Sequence, residues 1–209
     1  MRSNRARATC LGGWLCAAAP SFLALGCSGD PEPSTKRVWV GEVTGTDIKV
    51  ALADRGGGAT ALFFCGGDES YMTSTRWFAE GADLAEPFAF KDNGWSVEGA
   101  LKDNRASGSV ESEGVTRSWA AAAANYSTIS GLYEGTGPCG KLGLIVTQKS
   151  PKDEPTGQGA CVRIAHGASV VEQVNPIRLA VSALGEISVT VGSAPNEVFT
   201  VHPVAVDAK

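Results

Sequence analysis

Short runs of apolar residues, broken every few positions by glycine or polar pairs, set the character of this chain. Stretches 38–43, 47–53 and 59–65 are rich in Val, Ile, Phe and small residues, with Gly45-Thr46-Asp47, Gly56-Gly57-Gly58 and Gly66-Gly67-Asp68 between or after them. Stretches 73–80 and 88–91 follow, then Asp92-Asn93-Gly94, then 95–101. Asn-Gly between two such runs predicts a two-residue hairpin, because a type I′ turn needs positive φ at both central residues. Asp103-Asn104 predicts the next turn, leading to strands at 108–112 and 119–125. Beyond Gly131-Leu132-Tyr133, runs 142–148 and 160–164 flank a polar loop at 149–157, and 177–184 and 187–191 flank Gly185-Glu186. A final strand at 197–206 carries Pro203, which marks an edge or an end.

No long helical period occurs. The Ala120–Ala124 run has high helix propensity but is short, and fits a small-side-chain strand as well as one helical turn. Residues 83–86 fit a turn of helix. The pattern predicts an all-β protein: a hairpin-rich antiparallel barrel or sandwich, with little helix outside the first 26 residues. A faint Trp-x-x-Glu-Gly repeat at Trp77 and Trp95, with Trp39-Val40-Gly41-Glu42 sharing its start, predicts one tryptophan per hairpin facing a common core.

The N-terminus carries a different signal. Arg2, Arg5 and Arg7 precede an uncharged, largely apolar run at 11–25, which ends in Leu23-Ala24-Leu25-Gly26-Cys27. A positive head, an apolar run and small residues form a secretory signal peptide. A spanning helix needs about 20 apolar residues, and Gly12, Gly13, Pro20 and Gly26 interrupt this shorter run. The ending resembles a bacterial lipoprotein lipobox, with Leu25 where a small residue is more usual. The resemblance implies that Cys27 is the lipid attachment site and the first residue of the mature protein. With Ser28 rather than an acid after the cysteine, it implies a lipid-anchored protein on the extracytoplasmic side, at the outer membrane if the cell has one. A plain secreted protein is the rival reading. Residues 28–36, polar with two prolines, read as a tether, and 37–209 as the β domain, or as two lobes at 37–126 and 127–209.

Composition changes the picture in two ways. Residues 1–26 hold three arginines and no acid, so 15 of 18 basic and all 22 acidic residues remain afterwards, a net charge of −7. Such a surface argues against nucleic acid, whose phosphates call for clustered Lys and Arg. It also leaves membrane affinity to the acyl chains. With Cys10 and Cys16 in the removed segment, Cys65, Cys139 and Cys161 remain, predicting one disulfide and one thiol in an oxidising compartment. Of three pairings, Cys139–Cys161 is favoured because the two flank one predicted hairpin, although a turn near Lys152 or Asp153 does not set them directly opposite.

Little in the chain points to chemistry. No Gly-x-Ser-x-Gly elbow, CxxC or Cys/His cluster occurs, and His166 and His202 are the only histidines. His166 and Ser169 are close in sequence without forming a dyad, and His202 reads as a surface or edge-strand residue. Asp68-Glu69 and Asp83/Glu86 read as solvated turn acids. No catalytic residue, metal or cofactor is expected. Ala61-Leu62-Phe63-Phe64-Cys65-Gly66-Gly67, Thr75-Arg76-Trp77-Phe78, Asp92-Asn93-Gly94-Trp95 and Gly131-Leu132-Tyr133-Glu134 resemble uncharacterised secreted lipoproteins of bacteria with large genomes, which implies a hairpin-rich β domain and assigns no site. The leading expectation is binding or scaffolding in the cell envelope, toward a partner protein, glycan or small ligand. The alternatives are a lipocalin-like carrier with tryptophans around an apolar ligand, and a carboxylate-based hydrolase.

Overall fold

The computed structural model describes residues 37–56, 58–78, 84, 86–125, 127–165, 168–176, 179, 181, 182 and 185–204, with the side chains at 164–169 and 176 excepted. The described residues form fourteen strands and no helix. They are β1 (Arg37–Val43), β2 (Lys49–Gly56), β3 (Ala59–Cys65), β4 (Arg76–Phe78), β5 (Phe88–Asp92), β6 (Trp95–Lys102), β7 (Arg105–Ser112) and β8 (Val115–Ala123). After residue 130 come β9 (Gly131–Gly137), β10 (Gly140–Thr147), β11 (Thr156–Ala165), β12 (Ala168–Pro176), β13 (Ile187–Val191) and β14 (Ala194–Pro203). The all-β expectation holds.

The first eight strands make one antiparallel sheet in the order β4-β3-β2-β1-β8-β7-β6-β5. Two four-strand meanders are thus joined through β1 and β8, with Val43 opposite Trp119. Three two-residue turns of the second meander carry positive φ at both positions: Asn93-Gly94, Asp103-Asn104 and Glu113-Gly114. Their twist matches that of the flanking strands, as the Asn-Gly signal anticipates. The sheet curls until its edge strands meet through side chains. Arg76 on β4 pairs with Asp92 on β5 at 2.8 Å, and the rings of Phe78 and Phe90 lie 5.8 Å apart.

The last six strands close into a barrel, β10-β11-β12-β13-β14-β9. Leu142, Leu144, Val146, Val174, Ile187, Val189, Val191 and Val201 fill it, with Cys139 and Cys161. These cysteines form a disulfide with Cα atoms 5.8 Å apart. Cys161 faces Leu142 in the ladder, whereas Cys139 belongs to the turn between β9 and β10. The bond therefore ties that turn to β11 instead of crossing a rung of the β10–β11 hairpin.

A third apolar layer joins sheet to barrel. Ala51, Ala53, Ala61, Phe63 and Cys65 from β2 and β3 meet Leu132, Ile145, Ala160 and Val204. In a strand, alternate residues face opposite sides. Val50, Leu52, Leu62 and Phe64 accordingly point into the curled sheet, while their neighbours point at the barrel. Burial on both faces explains why the sequence of β2 and β3 reads as continuous apolar runs rather than alternating ones.

Two sequence expectations need correction. Trp39 and Trp119 enter the sheet core and Trp95 packs against it, but Trp77 does not share that core. It stacks on Phe63 in the layer against the barrel, ring centroids 4.3 Å apart. The reason is parity: on the short strand β4, Phe78 takes the inward side, so adjacent Trp77 faces outward. Strand β12 has no counterpart among the expected strands, which pass from 160–164 directly to 177–184. Of the expected strand at 177–184, residues 177, 178, 180, 183 and 184 lie outside the described residues; Ser182 and Glu186 close a turn there through backbone hydrogen bonds.

Candidate functional site

The barrel covers the outer face of the sheet only on its β1–β4 side, and the resulting step creates a cleft of about 810 Å³. Its floor is the outer face of β1, β8 and β7, with Val40, Ala120, Ala122 and Ser107; its wall is the β10–β11 hairpin, from Thr147 and Lys149 to Glu154 and Thr156. The inward partner of the floor alanines is Ala121, which is buried in the sheet core. Small outward side chains on β8 keep the floor low, which leaves the space open. The hairpin is held in shape locally: Asp153 N–H donates to Ser150 O at 3.0 Å, Gln148 Nε2 to Asp153 O at 2.8 Å, and the Thr147 and Thr156 hydroxyls lie 2.7 Å apart.

Charge of both signs lines this cleft. Glu42 and Lys49 pair with each other at 2.9 Å. Among the described residues, the side chains of Arg105, Lys149, Asp153 and Glu154 engage in no ion pair or hydrogen bond. These four charged groups, gathered in a cleft of ligand size, are free to contact something else.

A second cleft, of about 890 Å³, opens where the β2 and β3 ends approach β11 and β12. Its polar groups are already committed. Asp47 accepts from the Ser70 hydroxyl at 2.5 Å and the Glu69 N–H at 3.0 Å. The Ser70 hydrogen bond, outweighing partial burial and aided by the Glu69 N–H, holds its carboxyl below the usual range. Gln158 on β11 donates to Asp47 O at 3.0 Å and to Cys65 O. Gln173 on β12 donates to Asp68 at 3.0 Å. These bonds fasten the 66–70 loop and cross-link sheet to barrel, so this cleft reads as structure. None of the described residues forms a group of three or more His, Cys, Asp or Glu suited to a metal ion.

The other acid with a distinct environment, Glu134 on β9, takes Arg55 at 2.6 Å and Lys141 at 3.0 Å. Partial burial raises its pKa, but the two hydrogen-bonded cations outweigh that and leave it lowered. Lys141 also sits 3.9 Å above the Trp77 ring. Burial pushes the Cys65 thiol up to about 12. That thiol is fully buried and unpaired with another cysteine.

Cys27 and His166 lie outside the described residues, and Ser169 is on β12. His202 is exposed on β14, 3.4 Å from Glu186; its strand pairs with β9 to close the barrel, so it is not on a free edge. Asp68 and Glu69 are exposed turn acids, as expected, whereas Asp83 is outside the described residues. Sequence reasoning did not single out Arg105, Lys149, Asp153 or Glu154. The one available signal was the alanine run on a predicted strand, whose outward half could have marked an uncovered sheet face. No protein-family model, curated protein or solved structure matches this chain.

Proposed function

We propose that this protein is a lipid-anchored lipoprotein of the cell envelope whose β body acts as a binding or scaffolding module. The observation that carries the anchoring is Leu23-Ala24-Leu25-Gly26-Cys27 at the end of an uncharged run preceded by three arginines. The first described strand begins at Arg37, ten positions beyond Cys27. At about 3.3 Å per residue, that spacing keeps the body within roughly 33 Å of its acyl chains. A net charge of −7 after residue 26 supports a soluble body held by lipid rather than by a basic patch. The cleft beside β8 supports binding, because its Arg105, Lys149, Asp153 and Glu154 are not used internally.

Neither rival reading gains an observation. A carrier would hold its ligand among the tryptophans, yet Trp39 and Trp119 are 3% and 1% exposed in the packed sheet core, Trp119 against the rings of Phe64 and Phe88. A carboxylate hydrolase needs a general acid with a raised pKa. Asp47 and Glu134 are shifted the other way.

The test is metabolic labelling with a clickable fatty acid. Label on the native chain and none on Cys27→Ala, with the variant released from membranes, is the expected result. An unlabelled, cleaved and secreted native chain would replace the anchored reading with a freely diffusing one.

A further inference from the structure

We infer that the cleft between the β7–β8–β1 shelf and the β10–β11 hairpin binds a short zwitterionic peptide, one with a free ammonium group and a free carboxylate. This names the ligand class of the binding module proposed above and rests on that reading. Four charged side chains carry it. Arg105 rises from the shelf and Lys149 from the hairpin, both without an internal partner, and an arginine fork matches a carboxylate. Asp153 and Glu154 at the hairpin tip, also unpartnered, match an ammonium group. A purely anionic or purely cationic ligand would meet repulsion from half of these groups, whereas a zwitterion satisfies both halves.

The rest of the lining points the same way. No aromatic ring lines the cleft, so the stacking platform that sugars and nucleobases ordinarily use is missing from the described lining. The floor of Val40, Ala120 and Ala122 is apolar with short side chains, which suits an extended backbone bearing small side chains. The Glu42–Lys49 pair at 2.9 Å neutralises itself and leaves the discrimination to the four free charges.

The test uses the full chain in detergent micelles and alanine oligopeptides, from dipeptide to pentapeptide, measured by calorimetry. Each peptide is used free, N-acetylated and C-amidated. At least one free peptide is expected to bind, and capping either end should weaken it roughly tenfold, the scale of losing a charge-assisted contact. Arg105→Ala with Lys149→Ala should bind the free and C-amidated forms equally while still discriminating against N-acetylation. Asp153→Asn with Glu154→Gln should show the mirror result. All four positions line an open cleft, and circular dichroism is the check that each variant folds.

Absence of binding by every free peptide, indifference to the caps, or unchanged discrimination in both variants would overturn the inference. A photo-crosslinker at Ser107, used in cells, separates that failure from failure of the module itself. Cross-links to an envelope component alongside silent peptides would sink only the peptide assignment. No cross-link and no peptide binding would sink the use of this cleft altogether.

Discussion

A Cβ atom placed on Gly99 would lie 2.7 Å from Cζ2 of Trp119 and 2.6 Å from Cζ of Phe88. Gly99 pairs with Gly108, and Gly108 with Trp119, across β6, β7 and β8. The bare backbone at Gly99 is thus the seat on which the indole rests, and Trp119 Nε1 donates to Ser109 O at 3.2 Å from there. The barrel side repeats the arrangement. A Cβ on Gly143 would meet Trp77 at 2.6 Å and Phe63 at 2.7 Å.

Substituting Gly99→Ala should therefore destabilise the protein by about 1–3 kcal/mol, the range for overpacking a filled interior. Trp119→Ala should cost about 3–5 kcal/mol through the cavity it leaves. Combined with Trp119→Leu, the Gly99→Ala penalty should shrink, since the smaller side chain gives the new methyl room. Urea unfolding of the two single variants and the double variant checks this; simple additivity would show that the ring does not press on this site.

Removing the disulfide by Cys139→Ser with Cys161→Ser should lower stability by about 3 kcal/mol, the loop-closure scale for this spacing. Both residues are buried in the barrel, so the loss should register in denaturant midpoint. Cys65 behaves differently. Buried, with its thiol pushed up to about 12, it should be silent to a thiol reagent at neutral pH and react only on unfolding. Prompt labelling of the native protein would contradict its place between sheet and barrel.

Glu134 gives an acid-limb prediction. Its folded pKa is held below the ordinary glutamate value of 4.5, so its contribution is complete above that value and is lost as pH falls through the lower folded one. Glu134→Gln should flatten the fall in stability below about pH 4.5 and should leave Arg55 and Lys141 without their shared carboxylate. Thermal melts from neutral pH down to pH 3 read the difference. Parallel acid limbs for the two proteins would refute the Arg55–Glu134–Lys141 tie as an ionised interaction.

Gln158 is the polar strap between the two layers, donating to backbone oxygens of Asp47 and Cys65. Gln158→Leu should cost about 1–3 kcal/mol, because two partly buried acceptors lose their donor. Hydrogen exchange should quicken most around 47, 65 and 158. Uniform acceleration throughout the chain would indicate global weakening with no special strap.

What could be read beforehand follows from the range of each interaction. Asn93-Gly94 declared its hairpin because the requirement is local: two adjacent residues at positive φ. The pairing of β1 with β8 brings Val43 beside Trp119, residues far apart in sequence, and no local pattern encodes it. Strand β12 carries Val170, Val171 and Val174 among polar residues without a clean alternation, so its pattern alone does not declare a strand. Trp77 was assigned to the wrong face because a repeat gives spacing, while the face depends on which neighbour takes the inward side. The cleft depends on where the barrel stops covering the sheet, and that is a property of two packed layers.

The double-sided burial of β2 and β3 has a consequence for biogenesis. Ribosomes deliver a chain from its N-terminus, so Ala61-Leu62-Phe63-Phe64-Cys65 emerges well before Leu132 and Ile145, which cover one of its faces. Until the barrel has emerged, that face is sticky and without its partner, a hazard for self-association. A chaperone that holds the chain through this interval would matter more here than for a sheet with one wet side.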